Sequence, residues 1–396
     1  MNKVLFVIPD KSYKSQDFVN AGIKLNLEMV IVTDSSQASE QLGAKNIFST
    51  DFKSLDNKLI DKLPKDIDLV LPVDHSSVTF ASILVEKLST TGNRTQAVEN
   101  CLSKERTRRI LSASGLFQPK YEKANNLEQV NRWRNKINAK TIIKPDKGVA
   151  SIGVMSLEKD YTNDEQIQKI IDNCPTSEVV IEEFIIGEEF AFEGYLKDGL
   201  LKRVVIFDKP GDYQGPYYEE KIFVAPAEID LIIIKKIENV CQKACTSLGL
   251  TNGPVHIEFK ITEDEIFIIE VNPRTIGGLC SRSLNFNLFN NSLEEVILSD
   301  LLLDRKISLD LASPSSGVLM LPIPADGIFK GLDNESKAKE INEVVNIELS
   351  LPIGSNVRKP PFSERYLGFV FANGENSNKT IEALLQCEKI LSPIIE

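Results

Sequence analysis

Histidine is almost absent from this 396-residue chain; His75 and His256 are the only two. A Cys/His zinc cage therefore has almost no material. The six cysteines, Cys101, Cys174, Cys241, Cys245, Cys280 and Cys387, include no CxxC pair and read as reduced small hydrophobes. No uninterrupted apolar run approaches the ~18 residues of a membrane span. Pro9 and Asp10 interrupt the first apolar run before a signal-peptide core can form, so the expected compartment is the cytoplasm. Positive charge is in deficit: Lys and Arg number 46 against 57 Asp and Glu, a net charge of −11. That balance argues against a nucleic-acid partner, whose binding rests on neutralising phosphates. It leaves room for a nucleotide, which needs only a local cluster of positive groups.

Three familiar signatures are also missing. The first loop reads PDKSYKSQD and lacks GxGxxG, no GxxxxGK[ST] P-loop exists, and no Ser-His-Asp or Cys-His arrangement is evident. What remains is an ordinary globular composition, 42% hydrophobic and 26% charged. Length predicts roughly two to three domains.

Residues 3–8 (KVLFVI), a helical stretch at 16–27 and a strand at 29–33 read as a βαβ unit with a parallel sheet. Residues 67–73 repeat the buried-strand pattern and end at Asp74–His75, where His75 reads as structural. Ser103 is an N-cap, and Gly115 closes the helix it opens. A polar helix is expected at 125–138, strands at 140–145, 179–185 and 189–196, and a helix at 229–248. Residues 255–261 and 266–271 form a hairpin across an acidic turn centred near Asp264. A helix at 293–303, a break at Ser313–Ser316, a β-rich region and a final helix at 377–391 complete the chain, with no internal repeats.

The strongest motif is EVNPRTIGG, residues 270–278, with HIEF on the preceding strand. Residues i and i+2 of a strand share a face, so Glu270 and Asn272 project together. The hairpin sets Glu258 opposite Glu270. Two carboxylates and an amide oxygen make a hard-oxygen site suited to Mg²⁺, and Arg274 is placed to reach a transferring phosphoryl group. His256, two residues before Glu258, shares its face; both a phosphate contact and a structural hydrogen bond stay open for it. A second element, KPDKGVASIGV at 144–154, is a strand end followed by a loop with two glycines and a serine, able to cradle phosphate oxygens. A third, IEEFIIGEEF at 181–190, carries carboxylates able to accept from an adenine amino group or a ribose hydroxyl. Lys104, Arg106, Arg108, Arg109, Lys144 and Lys147 offer a local positive pocket.

These elements, in this order, resemble the ATP-grasp superfamily of carboxylate–amine ligases, and most of all the L-amino-acid ligases that form dipeptides. The resemblance implies an α/β (α+β) ATP-grasp fold. Residues 1–98 would form a Rossmann-like domain and 99–310 the ATP-grasp domain, with a lid at about 115–185. Residues 311–396 would be a β-rich C-terminal subdomain. It also implies site residues. Lys104, Lys144 and the loop from Lys147 through Gly148 and Ser151 to Gly153 face the phosphates. Glu182 accepts from the adenine amino group, Glu183, Phe184 and Ile185 form the hinge, and Glu189 binds ribose. Glu258, Glu270 and Asn272 hold Mg²⁺ (two ions, with Mn²⁺ as substitute). Arg274 and Lys144 are the expected catalytic residues. Lys209, Tyr217, Glu219 (or Glu220), His256, Arg274, Gly277 and Gly278 contact substrate. The implied reaction joins a small carboxylate to an amine through an acyl phosphate, releasing ADP and phosphate. Bicarbonate activation and a carrier-bound substrate are the alternatives. A homodimer is expected, with no nucleic-acid or membrane partner.

Overall fold

The chain was analysed as a computed structural model, which describes residues 2–10, 12–35, 46–137, 139–148, 151–157, 164–174, 176–211, 217–263, 265–362 and 365–396. Strand β1 (Lys3–Ile8) is buried along its whole length. It lies between β2 (Glu28–Thr33) and β4 (Leu69–Pro72), with β3 (Asn46–Ser49) outside β2, all parallel. Burial on both faces explains why these strands read as continuous apolar runs rather than alternating ones. The helices Ser15–Lys24 and Val78–Leu88 join this layer. Asp74, just past β4, accepts from the His75 N–H in a capping box that starts the next helical turn.

A small sheet follows, built from β5 (Tyr121–Ala124), β6 (Thr141–Pro145), β7 (Met155–Ser156) and β8 (Val179–Glu183) in the order β5-β8-β6-β7. Its core is its own: Val130, Trp133, Ile143, Ile167, Ile170 and Ile181. Among the described residues the main sheet has eight strands in the order β13-β12-β9-β10-β11-β14-β18-β16, with β16 (Val344–Leu349) at its outer edge. Among them, β9 (Glu188–Lys197), β10 (Leu200–Asp208), β12 (Gly253–Ile261) and β13 (Ile266–Asn272) form one antiparallel run. Strands β14 (Ser315–Leu321) and β18 (Gly368–Gly374) extend the same sheet through β11 (Ile222–Ala225). The β-rich C-terminal stretch thus shares its ladder with the preceding region. All six cysteines are free and buried, in keeping with their sequence reading.

The helix Leu293–Leu303 carries apolar residues around nearly its full circumference, and such a helix must be buried. Val296 and Ile297 pack under the main sheet, while Leu298 and Leu302 pack into the N-terminal layer. A polar seam reinforces that joint. The fully buried Lys14 Nζ donates to the Thr275 carbonyl (3.2 Å), the Thr275 Oγ1 (2.8 Å) and the Ile276 carbonyl (2.8 Å). Among the described residues, no helix is long and apolar enough to cross a membrane.

Lys14→Met keeps the stem but removes these donors, stranding buried acceptors. Urea unfolding is expected to show a loss of about 3 kcal/mol, from lost charge-assisted hydrogen bonds and orphaned carbonyls. An unchanged midpoint would mean that the seam contributes nothing.

Candidate active site

The β12–β13 hairpin places the acidic residues, and it does so through an irregularity. The ladder near the turn runs Ile261 to Ile266, Lys260 to Phe267 and Phe259 to Ile268. Continued regularly, it would set Glu258 opposite Ile269 and turn Glu270 to the other face. A β-bulge intervenes, so Glu258 pairs with Glu270, Ile257 with Val271 and His256 with Asn272. The expected Glu258–Glu270 pairing therefore holds, by means of one extra residue. Asp264, the expected centre of the turn, lies outside the described residues.

The bulge also presents two successive carbonyls. Arg108 donates to the Ile268 carbonyl at 3.1 Å and to the Ile269 carbonyl at 2.8 Å. Its remaining N–H groups reach the Gln118 side chain (3.0 Å) and the Glu182 carboxylate (2.7 and 3.3 Å). All five guanidinium N–H groups are thus used. Lys144 Nζ closes on the other side of Glu182 at 2.8 Å. Burial alone would raise the Glu182 carboxyl, but the charges of Arg108 and Lys144 and their hydrogen bonds reverse this and hold it at about 2. Sequence reading put Arg108 in a general positive patch and missed this role. The available signal was its place one helical turn after Lys104 on the helix Lys104–Ala113. Of the other patch members, Arg106 pairs with Glu99 and Arg109 with Glu105, both partly in solvent.

Between the small and main sheets lies a cleft. Lys104, Lys144, Gly148 and Ser151 line it, as do Glu182, Glu183, Phe184, Ile185 and Glu189. So do Glu258, Glu270 and Lys209. Ile142 and Ile269 supply apolar wall. Phe184 stacks on Tyr218 (centroids 5.3 Å apart, planes at 29°), and Lys260 Nζ lies 4.3 Å over the Phe184 ring. Lys104 Nζ donates to the Gly148 carbonyl at 3.2 Å, tying the helix start to the glycine loop. Ser151 (φ 54°) and Gly153 (φ 72°) both take left-handed backbone. Gly153 N–H donates to the Pro361 carbonyl at 2.8 Å. The Lys147 side chain is exposed, and Val149 and Ala150 lie outside the described residues.

The carboxylates that gather most closely are Glu189, Glu220 and Glu258, with oxygens within 4.8 Å of one another. Lys209 Nζ sits among them, 2.5 Å from Glu189, 2.5 Å from Glu220 and 3.2 Å from Glu258. Three residues expected in separate roles therefore share one contact, and Glu220 joins them. Burial pushes the Glu220 carboxyl up despite the Lys209 charge. Glu258 is held well below the usual carboxylate range, because Lys209 and His256 overcome the effect of burial. The His256 Nδ1 lies 2.9 Å from Glu193, and its Nε2 3.5 Å from Glu258. Glu193 in turn accepts the Ile276 N–H at 3.0 Å. His256 thus shares the Glu258 face as expected and connects it to the loop after Arg274. Burial lowers the imidazole, but the two carboxylates raise it more.

Some expected residues stand elsewhere. Tyr217 lines a separate cavity of about 630 Å³ with Met155, Lys169, Arg358 and Phe362, and Glu219 is not among the cleft residues. Their neighbours Tyr218 and Glu220 take the cleft, because extended backbone alternates its side chains; residues 212–216 lie outside the described residues. Asn272 is 2% exposed and is not a cleft residue; its Nδ2 has no partner among the described residues. Arg274 is 8% exposed, donates to the Thr275 carbonyl (2.8 Å) and leaves Nε buried without a partner among them. It lies within electrostatic reach of Asp74 and His75. Burial first, then Arg274 and Lys104, push His75 down to about 3, so its ring is neutral. Gly277 has open space around it, whereas a Cβ on Gly278 (φ 57°) would lie 2.8 Å from the Phe369 ring. Neither lines the cleft.

The depressed Glu182 carboxyl makes stability depend on pH. Its contribution is complete above about pH 4.5, its ordinary value, and is lost as pH falls towards 2. Wild type is expected to lose about 3 kcal/mol more than Glu182→Gln between pH 5 and pH 2, read from urea midpoints. Parallel losses in the two proteins would contradict the assignment.

Residues 137–283 match the ATP-grasp domain, and residues 319–396 match the L-amino acid ligase C-terminal domain 2. The uncharacterized protein y4rH of Sinorhizobium fredii is 22% identical over 388 residues, covering 94% of this chain and 79% of that protein. The alanine–anticapsin ligase of Bacillus subtilis is 26% identical over 215 residues, covering 48% of this chain and 45% of the ligase. The L-amino acid ligase from Bacillus licheniformis has the same fold, with a TM-score of 0.82 at 20% identity over 100% of this chain and 99% of that one. A carboxyaminoimidazole ribonucleotide synthase from Aspergillus clavatus, solved with ATP, follows at 0.75 and 16%, covering 98% of each chain. The chain thus carries an ATP-grasp domain and is similar to ATP-grasp ligases, the L-amino acid ligases among them.

Proposed function

We propose that this ATP-grasp ligase forms an amide bond between two amino-acid-like substrates, using ATP. The observation that carries the reading is convergence: the phosphate-loop, hinge and acidic residues named from sequence line one cleft. In the proposed reaction a substrate carboxylate oxygen attacks the γ-phosphorus of ATP, giving an acyl phosphate and ADP. The second substrate's amine then attacks the acyl carbonyl, loses a proton and expels phosphate.

No nucleophilic side chain is required, and the chain's residues act by position and charge. Lys104 and Lys144 bind phosphate oxygens, with the glycine loop excluding water from the acyl phosphate. Glu182, Glu183 and Ile185 receive the adenine edge beside Phe184. Arg274, with its free buried Nε–H, stabilises charge on the acyl phosphate and on the tetrahedral intermediate. Glu258 and Glu270 are hard-oxygen donors facing each other on the cleft, a set that fits Mg²⁺ or Mn²⁺. With Asn272 as a third donor they would hold the ion, which neutralises phosphate charge when bound. The substrate pocket draws on Lys209, Tyr218 and Glu220 rather than Tyr217 and Glu219. His256 orients Glu258, and Gly277 and Gly278 shape the loop beyond Arg274.

The test is phosphate release from Mg–ATP across a matrix of L-amino acids offered singly and in pairs, with mass detection. Pair-dependent release, with a product equal to two amino acids minus water, is expected. Release that depends on bicarbonate alone would replace the reading with a carboxylase. Arg274→Ala is expected to lower turnover at least ~100-fold, the scale of losing one oxyanion donor. Its nucleotide affinity, read by calorimetry, should change less than about threefold, because the lost contact serves the transition state rather than ground-state binding. Normal turnover in this variant would remove Arg274 from the mechanism.

A further inference from the structure

We propose that Lys209 is an internal stand-in for the divalent cation, so that the cation is admitted only together with nucleotide phosphates. The inference rests on the ATP-dependent reading above and concerns the order in which that site fills.

The Lys209 ammonium is 1% exposed and touches Glu189, Glu220 and Glu258 at 2.5, 2.5 and 3.2 Å. Three carboxylates whose oxygens lie within 4.8 Å of one another cannot all stay ionised without a compensating cation. Lys209 provides one, and the Phe223 ring, 5.2 Å from Nζ, offers it an aromatic face. Lys260 Nζ, 3.4 Å from the second oxygen of Glu189, adds a further positive charge to the group. Two ammonium groups thus offset much of the charge of three carboxylates at the residues that ribose and the metal ion require. Glu189 and Glu258 each hold the same ammonium, so a ribose hydroxyl or a cation must compete with it for these carboxylates.

Lysine has a compact charge on a flexible stem. The phosphoryl oxygens of a bound nucleotide, in the same cleft, give Lys209 a new anionic partner and free the carboxylates. A bare cation offers no such exchange. It must either sit beside the buried ammonium, charge against like charge, or part that ammonium from its carboxylates with no new anionic partner, and both are electrostatically costly. The cation and nucleotide therefore enter together, and the transfer of Lys209 couples their sites.

Mn²⁺ binding followed by electron paramagnetic resonance, without nucleotide, tests this. Lys209→Met is expected to bind Mn²⁺ at least tenfold more tightly than wild type. Adding ATP should tighten Mn²⁺ binding at least tenfold in wild type and much less in the variant. Equal nucleotide-free affinities in the two proteins would overturn the proposal. If circular dichroism shows that Lys209→Met does not fold, Lys209→Met/Glu220→Gln is compared with Glu220→Gln alone; the double variant is expected to bind Mn²⁺ more tightly, and equality again overturns it. Failure of wild type to bind ATP in the presence of Mn²⁺ would instead sink the functional reading. The nucleotide-free comparison stays interpretable in that case.

Discussion

The Arg108 guanidinium is the contact on which the arrangement of this protein depends. It is fully buried, and it joins the helix that carries it to the small sheet, through Glu182, and to the main sheet, through two hairpin carbonyls. A buried ion pair is a poor source of net stability, since desolvation consumes much of the attraction. Its value here is geometric. The guanidinium has a rigid fork, so it fixes the direction of each partner as well as its distance. Loss of either partner would leave an uncompensated charge in the interior, at about 3–5 kcal/mol. The small sheet is thereby held in register with the hairpin that carries the acidic residues.

The charges of the cleft are arranged in two groups. Glu182 is shared by Arg108 and Lys144, and the cluster of Glu189, Glu220 and Glu258 is held by Lys209. A chain with a net charge of −11 can therefore offer an anion a local field of mixed sign. The overall charge bears on solubility and non-specific encounters, whereas the cleft is governed by these few contacts.

Much of this was legible in the sequence, because the legible parts are local. The parallel strands are continuous apolar runs, and the Asn-Pro-Arg motif follows a strand whose partner carries His256 and Glu258. The helix start at Ser103 shows the expected cap, with its hydroxyl accepting from Arg106 N–H. The rest depends on distance along the chain or on parity. Lys209 and Glu258 are 49 residues apart, and no periodicity links them. The segment from Tyr217 to Glu220 carries no signal of which face it presents, and of its expected residues Glu220, the alternative to Glu219, lines the cleft while Tyr217 does not. The bulge at Ile269 has no glycine to announce it. The expected Glu258–Glu270 pairing came out right although the ladder around it is not the regular one that a simple turn would produce.

That bulge makes the hairpin sensitive to length in a way that no residue type reveals. One surplus residue, Ile269, stands between the part of the ladder near the turn and the part that carries Glu270 and Asn272. A deletion at Ile269 would give a regular ladder that still sets Glu258 opposite Glu270, but it would remove one of the two successive carbonyls that Arg108 binds. The surplus residue serves the Arg108 contact rather than the carboxylate pairing itself.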